Sequence, residues 1–168
     1  GSEVTLIELL PRLVPIEDEA VSAELERSFK NQGMKVLTGT KVTSAAASGA
    51  GVELQAQTSD GKSSKVSAEY VLVATGRAAN IENIGLDTTK VETDRGIIKV
   101  DGRMRTREPH VYAIGDIVGG LWLAHTAGHE GLTAAHTIAG DADVHDMDYN
   151  AQPRATYCRP EVASIGLT

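Results

Sequence analysis

Tyr112-Ala113-Ile114-Gly115-Asp116 is an apolar run that ends in a carboxylate, and Gly119-Gly120-Leu121-Trp122-Leu123-Ala124-His125 follows it. A segment of small residues with helical pattern comes next. A strand that delivers one carboxylate at its C-terminal edge, just before a helix N-terminus, is a common α/β way of holding a nucleotide cofactor. The carboxylate accepts hydrogen bonds from sugar or ribityl hydroxyls. The helix N-terminus faces an electron-rich ring or a phosphate with unpaired N–H groups. A second carboxylate, Glu8, ends the β-rich run Val4-Thr5-Leu6-Ile7. His125 and His129 stand at i, i+4, but without a third ligand they predict no metal site. Cys158 is the single cysteine, and its strand-like context predicts a small buried residue rather than a redox group.

The elements that must position these residues follow from periodicity. Val4 to Glu8 predicts a strand. Pro11 and Pro15 make residues 9–16 a loop. Glu17-Asp18-Glu19 then opens a helix with acids at its positive end, and Val21, Leu25 and Phe29 share one face. Gly33 closes that helix, and Lys35 to Leu37 predicts the next strand. The opening is therefore a parallel crossover unit. Val42–Ala47, Val52–Gln57 and Lys65–Ala68 predict three antiparallel strands separated by turn residues. Tyr70 to Ala74 is continuously apolar and predicts a central strand buried on both faces, and Val111 to Ile114 predicts the next buried strand. Ala124 to Ala139 predicts a helix whose small residues permit close approach, ended by Gly140. Residues 141–150 are polar and acidic, a candidate boundary, and 155–159 and 162–165 predict further strands.

Composition narrows the partners. A net charge of −7 disfavours nucleic acid and anionic membranes, and 4% aromatics leave little for base stacking. No apolar run approaches the roughly 20 residues of a membrane span. One cysteine excludes an internal disulfide and implies a reducing, cytoplasmic setting. Strand material at both termini predicts a central piece of a longer protein.

Val-Thr-Leu-Ile-Glu (4–8), Ala-Thr-Gly-Arg (74–77), Tyr-Ala-Ile-Gly-Asp (112–116), Leu-Ala-His (123–125), Glu-Gly (130–131) and residues 157–168 occur in this order. Together they resemble the pyridine nucleotide–disulfide oxidoreductase family over essentially the whole chain. The resemblance implies an incomplete doubly wound, Rossmann-like α/β architecture with a three-stranded antiparallel meander. Residues 1–75 resemble the later part of an NAD-binding domain, 76–150 the returning part of an FAD-binding domain, and 151–168 the start of a dimerisation domain. Within the family the likeness is to the branch that passes electrons from dihydrolipoamide through a disulfide and FAD to NAD. That branch forms homodimers and serves 2-oxo acid dehydrogenase complexes. Branches acting on glutathione or mercuric ion are the alternative, and a non-catalytic nucleotide-binding or assembly module is a third.

The resemblance also assigns cofactors, FAD and NAD, to particular residues. Glu8 would accept from the NAD ribose and repel the extra phosphate of NADP; Arg12 is the nearby cation that could oppose this. Gly76 would let the backbone turn near NAD, with Arg77 equally suited to a structural ion pair. Ala78-Ala79-Asn80 departs from the family's usual proline before asparagine, which weakens any role for Asn80. Asp116 would accept from an FAD ribityl hydroxyl; the competing expectation is a structural cap. The backbone N–H groups of Leu123, Ala124 and His125 would face the flavin ring, where negative charge develops on reduction. No catalytic residue is expected in this chain: the family's glycine-rich fingerprints, redox cysteine pair and His–Glu pair have no counterpart here.

Overall fold

The computed structural model describes residues 1–167. Thr168, the last residue of the 157–168 motif, lies outside the described residues. The chain packs as two compact units, one of residues 1–74 with 155–164, the other of residues 75–154 with 165–167.

The first unit opens as its periodicity predicts. Strand β1 (Thr5–Ile7) pairs in parallel with β2 (Lys35–Leu37), Leu6 opposite Val36, and helix α1 (Glu19–Asn31) crosses between them. Asp18 caps α1 by accepting from Ala20 N at 2.8 Å. Gly33 leaves it in the left-handed region at φ +88°. The apolar face of α1 buries Leu25 with Leu13 and Val162, and Leu6, Val21, Phe29, Val36 and Cys158 pack around them. Strands β3 (Thr40–Ser48), β4 (Gly51–Thr58) and β5 (Ser63–Ala68) form the expected antiparallel meander, each longer than its sequence pattern predicts. A register shift between Val42 and Ser44 marks a bulge in β3.

Residues 155–164 join this unit through side chains. Val162 enters the core beside Leu25. Ser164 Oγ donates to Glu17 Oε2, and Gln32 Nε2 donates to Arg159 O at 2.8 Å. Cys158 is half-buried, and its Sγ lies 3.1 Å from Pro160 O.

The second unit holds a short hairpin, β6 (Thr93–Asp94) and β7 (Ile97–Ile98). Arg95 and Gly96 turn it with φ of +47° and +83°, both positive as a tight hairpin requires. Helix α2 (Ala124–Ala139) ends at Gly140, at φ +73°, and its Asp141 N donates back to His136 O at 3.1 Å. β8 (Arg154–Thr156) and β9 (Val162–Ser164), of which residues 155–164 belong to the first unit, form a further two-stranded ribbon. The polar segment 141–150 is tied to the second unit: Met147 N donates to Gly102 O at 2.8 Å, and Arg103 Nε meets Asp146 Oδ1 at 3.2 Å.

Two expected strands do not form. Among the described residues Tyr70–Ala74 has no ladder partner, and Tyr70 and Leu72 are each 90% exposed. A strand buried on both faces needs ladder partners to form a sheet and further layers to cover it, and among the described residues β1 pairs in parallel with β2 alone, not with 70–74. Val111–Ile114 likewise makes a single bridge, Tyr112 to Arg105, although Ala113 is buried.

Candidate functional site

Asp116 sits in a 3-10 turn, Gly115–Val118, just ahead of α2. The turn is anchored by packing. Val118 is buried with Ile98 and Ala113, and Ile117 packs against them. Each buried aliphatic side chain of this kind contributes about 1.5–3 kcal/mol. Gly119 follows at φ +80°, and a Cβ there would stand 2.8 Å from Ile97 Cδ1, so glycine is required where the turn meets the hairpin.

The Asp116 carboxylate itself stays accessible. Its side chain is 47% exposed, and Arg77 Nη1 approaches it at 3.6 Å. An ion pair this exposed contributes only about 0–1 kcal/mol. Packing therefore holds the turn, and the carboxylate is not needed to hold it. The structural ion pair foreseen for Arg77 is present. Gly76, next to it, adopts φ +108° in open space.

The turn lies against α2. A Cβ on Gly115 would be 3.7 Å from Ala127 Cβ, and one on Gly131 would be 3.4 Å from Ile114 Cδ1. The turn and the small residues of α2 are thus packed at ordinary contact distance, Ile114 over Gly131 and Gly115 over Ala127. Leu123 takes the N-cap position and offers no side-chain acceptor to the helix. The first-turn N–H groups, from Ala124 onward, keep their donor capacity and the positive end of the helix dipole. His125 Nε2 donates to Pro153 O at 2.8 Å, which turns its ring to the backbone. An exposed carboxylate beside an uncapped helix start suits a ligand with hydroxyls and a ring that takes on negative charge. The residues present fit a flavin in that respect.

Glu8 is in the first unit, half-buried at the end of β1, where Glu8 N donates to Leu37 O at 2.9 Å. Its Oε1 accepts from Leu10 N at 2.7 Å, leaving the carboxylate further acceptor capacity. The guanidinium of Arg12 is engaged by its own loop, with Nη2 donating to Pro15 O at 2.9 Å and Glu17 O at 3.4 Å.

Sequence reasoning named Glu130 only as part of a motif. It is 1% exposed, and both its oxygens accept hydrogen bonds, Oε2 from Gly115 N at 2.6 Å and Oε1 from Tyr149 OH at 2.8 Å. Burial first, then the bond to this carboxylate, pushes the Tyr149 hydroxyl well above the usual phenol range, so it remains a protonated donor. Thr126, Glu130, Ala134 and Thr137 fall on one helical stripe, which the structure buries although three of the four are polar, so hydrophobic periodicity does not reveal it. Among the described residues no group of three or more His, Cys, Asp or Glu is arranged to hold a metal ion. Among them, too, no helix is long and apolar enough to cross a membrane.

The parallel crossover unit, the meander and the carboxylate turn ahead of α2 are part of the α/β fold of flavoprotein disulfide reductases. LpdA from Mycobacterium tuberculosis superposes with a TM-score of 0.87 at 28% identity over 99% of this chain and 36% of that one. The HOCl-induced flavoprotein disulfide reductase RclA from Escherichia coli shares the fold at a TM-score of 0.82 and 19% identity. The chain belongs to the pyridine nucleotide-disulphide oxidoreductase family, whose pattern matches residues 1–131. It is 49% identical over 169 aligned residues to the dihydrolipoyl dehydrogenase of Mycobacterium tuberculosis, and 44% identical over 168 to that of Zymomonas mobilis. It spans 36% of the length of each of these relatives.

Proposed function

We propose that this chain supplies part of the FAD and NAD sites of a dihydrolipoyl dehydrogenase. The whole protein would oxidise dihydrolipoamide and reduce NAD, with FAD and a redox disulfide supplying the electron chemistry. The observation that carries the reading is the exposed Asp116 carboxylate clamped ahead of the uncapped start of α2, in a chain 49% identical to a dihydrolipoyl dehydrogenase. In this reading Asp116 accepts from the ribityl chain, and the backbone N–H groups of Leu123, Ala124 and His125 face the flavin ring. Residues 1–75 belong to the NAD domain, 76–150 to the FAD domain and 151–168 to the dimerisation domain. The whole protein is a cytoplasmic homodimer serving 2-oxo acid dehydrogenase complexes. The likeness to RclA is one of fold and does not favour a sibling reductase.

The test is purification of the full-length protein that carries this segment. Bound flavin absorbance and lipoamide-dependent NADH formation are expected; a colourless protein without that turnover overturns the reading. The 168-residue chain alone is expected to show no such turnover, because one cysteine cannot make a disulfide. Steady-state NADH production by the isolated chain checks this.

Gly76 turns the backbone near the nucleotide, and Glu8 selects it. Arg12 is held by Pro15 O and Glu17 O, which supports Glu8 as the charge meant to meet the ribose. Glu8→Ala in the full-length protein is expected to cut the preference for NAD over NADP about tenfold, the loss of one charge-assisted hydrogen bond. The ratio of kcat/KM for the two nucleotides measures it.

A further inference from the structure

We propose that Glu130 is a positioning residue for the flavin site, a role that rests on the cofactor reading above. Its side chain is among the most buried of the molecule, yet it is a carboxylate. Burying a charge costs far more than burying an alkyl group of the same size unless hydrogen bonds compensate it. Both compensating donors here are informative. One is the N–H of Gly115, at 2.6 Å, the residue immediately before Asp116. That residue sits at φ +78°, a backbone state glycine adopts at little steric cost, so its N–H is free to point at the carboxylate. The other is the Tyr149 hydroxyl, at 2.8 Å, whose ring lies where a Cβ on Gly120 would stand 3.4 Å from Tyr149 Cε1. Glu130 belongs to the second turn of α2, so its carboxylate ties the carboxylate-bearing turn to the same helix whose N-terminus faces the ring. Tyr149 holds Glu130 in that rotamer from the other side. Asp116 and the start of α2 are thereby kept in one fixed relation, as a rigid flavin site requires.

The test is made in the full-length protein carrying this segment, with FAD as the probe. Flavin fluorescence on titrating apoprotein gives the Kd, the visible absorption band shape reports the ring environment, and thermal melting of the apoprotein checks folding. Glu130→Ala is expected to weaken FAD binding at least tenfold and to blur the band structure. Glu130→Gln is expected to restore both to within about threefold, because an amide oxygen still accepts from Gly115 N and the amide nitrogen donates to the Tyr149 oxygen. Tyr149→Phe removes one oxygen and no packing, and is expected to weaken binding at least threefold. It carries the test by itself should Glu130→Ala fail to fold. Wild-type affinity and spectrum in a folded Glu130→Ala, or in Tyr149→Phe, overturn the positioning role while leaving the cofactor reading intact. A wild-type protein that binds no flavin overturns the cofactor reading, and this one with it.

Discussion

Asp116→Ala is expected to weaken FAD binding by about 10- to 100-fold in the full-length protein carrying this segment. The magnitude follows from losing a hydrogen bond to a charged acceptor, about 1.5–3 kcal/mol. The same substitution should hardly move the melting temperature of the apoprotein. Among the described residues its carboxylate is partnered by Arg77, at 3.6 Å, in a pair whose side chains are 71% and 47% exposed. Such pairs contribute at most about 1 kcal/mol. The turn that carries Asp116 is held by Val118, Ile117 and the Glu130 bond to Gly115, all of which the substitution leaves in place. Flavin titration and apoprotein melting, run side by side, separate a ligand-binding carboxylate from a structural one. A large loss of melting temperature with unchanged FAD affinity would falsify the assignment.

Leu25→Ala carries the largest expected cost in stability, about 2–5 kcal/mol. Leu25 is 3% exposed at the centre of the apolar face of α1, against Leu13 and Val162. Truncation removes the transfer energy of three carbons and leaves a cavity walled by segments far apart in sequence. Residues near 13, helix α1 and the strand at 162 cannot all collapse onto a methyl group together. Urea denaturation of wild-type and variant protein, monitored by far-UV circular dichroism, measures the difference. A change below about 1 kcal/mol in the unfolding free energy is incompatible with the packing described. An exposed apolar position such as Leu132, 59% exposed on α2, serves as the control and should cost little.

Local patterns made much of this chain legible. Prolines 11 and 15 stop β1 from continuing, and the i, i+4, i+8 spacing of Val21, Leu25 and Phe29 places one face of α1 inward. Turn residues at 48–51 and 59–62 separate the meander strands, because left-handed backbone there is cheap for glycine and polar residues. The order of motifs from 4–8 to 123–125 was enough to reveal the family. These features depend on neighbours within a few residues, or on side chains whose chemistry is the same wherever they sit.

The opposite held for Tyr70–Ala74 and Val111–Ile114. Their apolar runs state what the residues would prefer, burial, and not whether hydrogen-bonding edges are there to provide it. Exposure of Leu72 at 90% was decided by the ladder, a nonlocal property. Glu130 shows the same limit in a site. Its stripe with Thr126 and Ala134 is too polar to announce burial, and its partners Gly115 and Tyr149 lie 15 and 19 residues away. Likewise nothing local announces that Val162 completes a core begun at Leu13.

The sequence alone determined the helices, the meander and the family, because periodicity, capping and motif order are written in adjacent residues; the carboxylates it named for a nucleotide stand as proposals. Only the tertiary structure decided that Asp116 is exposed while its turn is buried, that Arg12 is held by its own loop, and that Glu130 fixes the turn against α2. Those outcomes depend on which distant groups come within hydrogen-bonding distance, and that is set by packing.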